Sequence, residues 1–292
     1  MSWLIGRLAR HLRPLGVAAV AMTVAACTPL GVFATFTSRD PAVLSAMDQA
    51  YGDQPRQTLD VYAPRQISAA RPIAVFFYGG GWEKGRKWDY GWVGQALAAK
   101  GFVVVLPDYR LYPDVRFPAF LKDNAEAVRW AVEHAQAYGG DPNRIVLLGH
   151  SAGAYNAVML GLDPRYLKEA GVDPSRIRAV AGIAGPYDFL PLTPDMERVF
   201  GQASDLAETQ PIVLARRDAP PMLLVTGDAD AVVDPANTAA LAKALRSVGA
   251  RVEEQHYAEV GHNEIMAAMS RPFRDRAPVL KDVSEFLMRE AQ

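Results

Sequence analysis

The chain predicts an α/β fold: a mostly parallel central sheet with helices on both faces. From about residue 57 onward, short apolar runs alternate with longer amphipathic ones, the pattern of repeated strand-helix-strand units. Several of the short runs are β-branched or aromatic and carry no charge, as strands covered on both sides do. Glycine-rich stretches follow directly after these runs, at the strand ends where such a sheet gathers its reactive groups.

Residues 59–63 and 73–78 read as the first strands, and 102–106 and 145–148 as the next two. Between the latter, Leu121, Ala125, Val128, Val132 and Ala135 recur at spacings of 4, 3, 4 and 3, which draws one apolar stripe along a helix. Gly139 and Gly140, then Asp141-Pro142, are expected to end it. Residues 179–183 and 222–226 read as buried strands, and 235–248 as the helix after the second. Residues 252–257 are more polar and belong near the sheet edge, and Leu280, Val283 and Leu287 share one face of a closing helix. Residues 186–220 break the rhythm with Pro, Asp and large apolar residues such as Phe189, Met196 and Phe200. They predict an insertion over the sheet end, either a small lid or a peripheral helix packing its own face onto the core.

With 292 residues, 50% hydrophobic, 22% charged and a net charge of −1, the chain buries a full core without disulfides or metals. One domain over residues 57–292 is the simplest organisation. A sequence pI near 6.5 provides no basic footprint, so nucleic acid is not expected as a partner. No clustered metal-ligand spacing and no dinucleotide fingerprint occur, so neither metal nor cofactor is expected.

The N-terminus is of another kind. Arg7, Arg10, His11 and Arg13 precede an uncharged apolar stretch over residues 15–26, the plan of a secretory signal and too short for a comfortable membrane span. It ends at Val24-Ala25-Ala26-Cys27, which resembles the lipobox of bacterial lipoprotein signals, and Cys27 is the only cysteine. This implies loss of residues 1–26, acylation of Cys27, a tether over residues 27–56, and an exported cell-envelope lipoprotein held on a membrane face. An uncleaved N-terminal anchor is the alternative.

Chemistry concentrates in three places. Gly149-His150-Ser151-Ala152-Gly153 follows an apolar strand and precedes residues 154–160, which can be a helix; this strand-turn-helix context is what a nucleophile elbow needs. A serine hydroxyl requires a base, itself oriented by an acid. Of five histidines, His11 lies in the export signal, His134 in a helix, His150 inside the elbow and His256 within a strand. His262 follows that strand in a loop and is the candidate base. For the acid, Asp228 and Asp230 both fall in the turn after residues 222–226, and spacing does not separate them; Asp234 before Pro235 reads as a helix cap. Finally, Tyr78-Gly79-Gly80-Gly81-Trp82 follows the strand at 73–77. Consecutive glycines let backbone N–H groups converge on a developing oxyanion, and the Ala152 amide completes the hole. A phosphate-loop reading fails, because Arg86 and Lys87 stand where Lys and Ser/Thr are required.

These motifs, in order and with sensible spacing from about residue 57 onward, resemble the α/β-hydrolase superfamily, in its carboxylesterase branch related to hormone-sensitive lipase, kynurenine formamidase and the isoprenylcysteine methylesterases. Pro107-Asp108-Tyr109-Arg110-Leu111, Tyr138 to Pro142, Gly227 to Asp230 and Gly261-His262 add to the likeness. The resemblance implies Ser151 as nucleophile, Asp230 as acid and His262 as base, with Gly80, Gly81 and Ala152 as oxyanion donors. One departure stands out: the family loop usually begins with a loop-supporting His, and here Tyr78 takes its place.

The expected reaction is two-step acyl transfer on a small-molecule ester, with short acyl chains favoured because only a modest insertion can serve as a lid. Trp82, Phe189 and Phe200, together with Trp88 and Trp92, are candidates for an apolar acyl site. Amide or formamide cleavage uses the same residues. A non-catalytic binding lipoprotein is the reading from another class, and an intact Ser, acid and His set argues against it.

Overall fold

The computed structural model describes residues 29–66 and 69–292. The signal stretch, residues 1–26, and the acylation candidate Cys27 lie outside the described residues.

The strands are β1 Ala42–Ala50, β2 Thr58–Pro64, β3 Arg71–Phe77, β4 Val103–Pro107, β5 Gly140–His150, β6 Ile177–Ile183, β7 Met222–Gly227 and β8 Val252–Tyr257. They form one eight-stranded sheet in the order β1-β2-β4-β3-β5-β6-β7-β8. β2 runs antiparallel to both its neighbours, and β4 to β8 pair parallel with β3 among them. The helices are α1 Pro29–Phe36, α2 Gly91–Ala99, α3 Ala119–His134, α4 Ala152–Leu162, α5 Pro164–Glu169, α6 Pro194–Phe200, α7 Ala236–Ser247, α8 His262–Ala267 and α9 Val279–Glu290. α2 and α9 meet on one side of the sheet, while α3, α4 and α7 lie against the central and distal strands. β4, β3 beyond Arg71 and the inner residues of β5, β6 and β7 are buried, which is why their sequences read as apolar runs.

Three elements, α1, β1 and α2, escape the sequence pattern. Residues 27–56, expected as a tether, contribute α1 and the edge strand β1. β1 is mostly exposed, mixes polar and apolar residues, and is kinked by irregular register near Ala46, so no alternation marks it. α2 is apolar except for Gln95 and buried from Trp92 to Ala98, which removes the amphipathic stripe that reveals a surface helix. The end of α3 also differs. A short 3-10 turn, Ala135–Tyr138, follows it and closes on Gly139 at φ 85°, whereas Gly140, Asp141 and Pro142 already belong to β5. β8 takes the sheet edge, as its polarity predicts.

Register aligns the reactive loops. Phe77 pairs with Gly149, His150 with Ile183, Ile183 with Val225 and Gly227 with Tyr257. The loops after β3, β5, β7 and β8 therefore leave the same edge of the sheet.

Candidate active site

Ser151 sits at the turn between β5 and α4 with φ 54° and ψ −122°, a conformation that costs a non-glycine residue about 1–3 kcal/mol. Its neighbours hold it there. The Ser151 amide donates to the Ile183 carbonyl at 2.9 Å, and the Ser151 carbonyl accepts from the amides of Ala154 and Tyr155 on the first turn of α4. Gly153 must be glycine because a Cβ there would lie 2.0 Å from the Phe77 carbonyl oxygen. That close approach seats the turn at Ser151 against the end of β3 and the glycine loop that follows. A Cβ on Gly79 would stand 3.0 Å from the Cβ of Ser151, so the loop borders the serine directly.

The loop itself turns through Gly80 at φ 135°, Gly81 at φ 62° and Trp82 at φ 60°. A network fixes both of its ends. The Arg56 guanidinium donates to the Tyr78 hydroxyl and to the Gly85 carbonyl, each at 2.8 Å, and to the Tyr109 carbonyl at 2.9 Å. The Tyr109 hydroxyl donates to the Tyr78 carbonyl at 2.7 Å, and the Asp108 carboxylate accepts the Lys87 amide at 2.6 Å. Tyr78 is buried between Tyr109 and Tyr90, with centroids at 4.7 and 5.6 Å. The tyrosine that departs from the family pattern is thus built into the loop's support. Sequence reasoning missed Arg56 and named Asp108 only as a landmark, since both act across the fold from separate segments.

His262 opens α8, and its Nδ1 lies 2.7 Å from Asp230 Oδ2. The other carboxylate oxygen of Asp230 accepts the amides of Val232 and Val233 at 2.8 and 2.9 Å, and its side chain is 0% exposed. The loops are drawn together at Gly227, where a Cβ would lie 2.1 Å from the Val260 carbonyl oxygen, and the Ala229 amide donates to that same carbonyl. Asp228, the other candidate acid, points away: it pairs with Nδ1 of His256 at 2.8 Å on the surface. Asp234 caps α7 by accepting the Ala236 amide at 2.9 Å.

His150, set aside by the sequence as part of the elbow, is a structural neighbour of His262. Its Nε2 lies 3.0 Å from the His262 carbonyl and the two rings stand 4.7 Å apart. Burial, with the nearby His262 adding to it, lowers the His150 pKa to about 3, so the ring is neutral at physiological pH. A neutral ring that donates from Nε2 steadies the His262 backbone without adding charge beside it.

The aromatic candidates divide. Trp82 and Phe200 are fully buried; their rings meet at 4.9 Å, Tyr155 packs edge-on against Trp82 at 5.2 Å, and Trp82 Nε1 donates to Asn156 Oδ1 at 3.0 Å. They are core that ties the glycine loop to α4, not an open lining. Trp92 is buried against Phe33, and Trp88 is exposed on the surface beside Arg86. Phe189, half-buried against Tyr155 and Phe200, alone of the three keeps an accessible ring. The insertion is packed down rather than free. The Phe189 amide donates to Gln210, Tyr187 and Asp188 donate to Asn237, the Tyr155 hydroxyl donates to the Thr209 carbonyl, and α6 seats Val199 and Phe200 in the core.

The BD-FAE family model matches residues 59–245. The chain belongs to the BD-FAE family. Among curated relatives of this family member, esterase LipC of Mycobacterium tuberculosis is 34% identical over 219 residues, spanning 68% of this chain and 54% of LipC. The isoprenylcysteine alpha-carbonyl methylesterase of Arabidopsis thaliana is 30% identical over 237 residues, 74% of this chain and 56% of the relative. The chain thus spans about half the length of the curated relatives it matches. Among solved structures, esterase B from Lactobacillus rhamnosis superposes with a TM-score of 0.76 at 20% identity, covering 94% of each chain. A carbohydrate esterase from gut microbiota gives 0.73 at 22%, covering 87% of this chain and 99% of that one. The shared architecture is the α/β-hydrolase fold.

Proposed function

We propose that the protein is a serine carboxylic-ester hydrolase, with Ser151 as nucleophile, His262 as base and Asp230 as the acid that orients it. One observation carries the reading: the buried Asp230–His262 pair, at 2.7 Å, leaves the same sheet edge as a serine held at positive φ. Because Nδ1 is engaged by a carboxylate, the proton sits on Nδ1 and the Nε2 lone pair is the basic site. Ser151 Oγ bonds to the ester carbonyl carbon while Nε2 takes its proton. The oxyanion is met by the amides of Gly80, Gly81 and Ala152, a contribution of about 2.7–4 kcal/mol per donor. Collapse breaks the ester C–O bond, and Nε2 returns the proton to the departing alcohol. Water then attacks the acyl-enzyme, gives its proton to Nε2, and releases the carboxylic acid as Ser151 recovers its proton.

Short acyl chains fit best. Trp82 and Phe200 occupy one another's space, and the insertion over residues 186–220 is hydrogen-bonded down, which leaves Phe189 as the aromatic contact for a small acyl group. The curated relatives carry the names esterase and methylesterase, which supports ester over amide cleavage. The lipobox-like run ending in Cys27 supports export and acylation of Cys27, which would hold the catalytic domain at a membrane face. A panel of nitrophenyl esters tests the reaction. Acetate and butyrate should be turned over at least about tenfold faster than dodecanoate, and Ser151→Ala should abolish turnover. Equal or faster turnover of the dodecanoate would contradict the size argument.

A further inference from the structure

Among the described residues, several exposed large apolar side chains gather around α1. Apart from Thr35, whose hydroxyl donates to the Gly31 carbonyl, this helix carries only apolar residues, so burying one side leaves apolar atoms on the other. Its inner side is occupied: Phe33 meets Trp92 edge-on at 5.4 Å and stacks on Phe273 at 6.1 Å. Its outer side carries Val32 and Phe36 one turn apart, with Phe36 83% exposed. α1 also lies against the turn Lys87–Tyr90, where Trp88 is 51% exposed. Phe273, stacked on Phe33, is itself 39% exposed, so Val32, Phe36, Trp88 and Phe273 are the exposed apolar side chains on and around α1.

The rim of this face is mainly cationic. Arg39, Arg271 and Arg276 are exposed, and the Arg86 guanidinium lies 5.1 Å from the Trp88 ring. Among the acids nearby, Asp40 and Asp89 are paired with Arg274 and Arg86, and Asp275 is exposed. The place of the face also matters. Trp88 follows the glycine loop, Phe273 follows the helix headed by His262, and α1 is where the segment bearing the apolar run 15–26 and Cys27 enters the described structure.

We propose that this face is a contact surface for an anionic phospholipid bilayer. Val32, Phe36, Trp88 and Phe273 enter the boundary between headgroups and acyl chains, and Arg39, Arg86, Arg271 and Arg276 meet the phosphates. An aromatic and apolar patch ringed by arginine suits that layer, which is apolar on one side and wet on the other. The proposal rests on the membrane-anchoring reading in one respect, that the segment before α1 brings this face to the bilayer. The loops bearing Gly80 and His262 are then held in a fixed orientation beside the membrane.

Hydroxyl-radical footprinting of the full chain, alone and with vesicles of phosphatidylcholine and phosphatidylglycerol, tests it. Oxidation of Phe36, Trp88 and Phe273 should slow about fivefold or more on vesicles, and less with phosphatidylcholine alone, while exposed Val213 and Val232 keep their rates. In a Val32→Glu/Phe36→Glu variant, Trp88 and Phe273 should regain their free rates with hydrolysis of soluble nitrophenyl acetate unchanged. Protection that persists in the variant overturns the proposal. So does protection already complete before vesicles are added, which would mean that the chain's own N-terminal segment covers the face. A chain that sediments with vesicles yet leaves these residues reactive sinks this proposal and spares the anchor; a chain that does not bind vesicles sinks both.

Discussion

Two aspartate-histidine pairs arise from the same turn and the same strand-loop unit, and they have almost the same geometry. Asp230 meets His262 at 2.7 Å and Asp228 meets His256 at 2.8 Å. Their surroundings differ. The Asp230 carboxylate is 0% exposed and holds two backbone amides with its second oxygen, whereas Asp228 is 50% exposed and shares its histidine with Glu254. His256 lies within the edge strand β8 and is exposed, whereas His262 lies beyond the strand's end, opens α8 and packs its ring against His150. Pairing distance alone therefore says little about chemistry; burial, and a ring that packs against His150 next to Ser151 in the chain, separate the two.

The largest expected effect is on the imidazoles. His262→Ala should lower kcat for a nitrophenyl ester at least about 10⁴-fold, while His256→Ala should stay within about twofold. The carboxylates come next. Asp230→Asn should cost about 10³- to 10⁴-fold through the wrong imidazole tautomer, and Asp228→Asn almost nothing, each read as kcat with folding checked by circular dichroism. A loss on Asp228→Asn as large as on Asp230→Asn would erase the distinction. Smaller again is Arg56→Ala, which frees the glycine loop at Tyr78 and Gly85 and should cost about 10- to 100-fold in kcat, with Ser151 still slowly labelled.

How far the sequence reaches follows the same division. The edge position of β8 is legible in its strand polarity, and Ser151 and His262 are marked as candidates locally, by flanking glycines and by a loop after a strand. Asp230 against Asp228 was not separable by spacing, since neighbouring residues in a turn point apart in ways only the fold decides. Arg56, Asp108 and His150 were illegible as supports because their partners are distant in sequence. Trp82 and Phe200 stand among the acyl-site candidates of the sequence, yet they face each other inside the core; an aromatic beside a site motif has no sequence mark that tells lining from packing.

Histidine titration sharpens the comparison at the level of stability. Burial, with His262 adding to it, lowers His150 to about 3, so the unfolded chain takes up a proton below about pH 6.5 that the native ring refuses. Native stability is then lost as pH falls from about 6.5 toward 3, and His150→Gln should flatten that slope in urea midpoints measured across this window. His256 tilts the other way: burial disfavours its charge, but Asp228 and Glu254 outweigh this and raise its pKa. Its contribution is complete below about pH 6.5 and is lost as pH rises through the raised value. Because that pair is well exposed, Asp228→Asn should change unfolding stability by no more than about 1 kcal/mol.

The central claim is that one serine is activated by one buried pair. The most direct measurement is the rate and position of phosphonylation by a fluorophosphonate, read by peptide mass spectrometry in the native protein and the four Asp and His variants. A single adduct on Ser151 is expected, formed at undiminished rate in Asp228→Asn and His256→Ala and at least about 10³-fold more slowly in Asp230→Asn and His262→Ala. Modification of a different residue, or equal rates across all four variants, would contradict it.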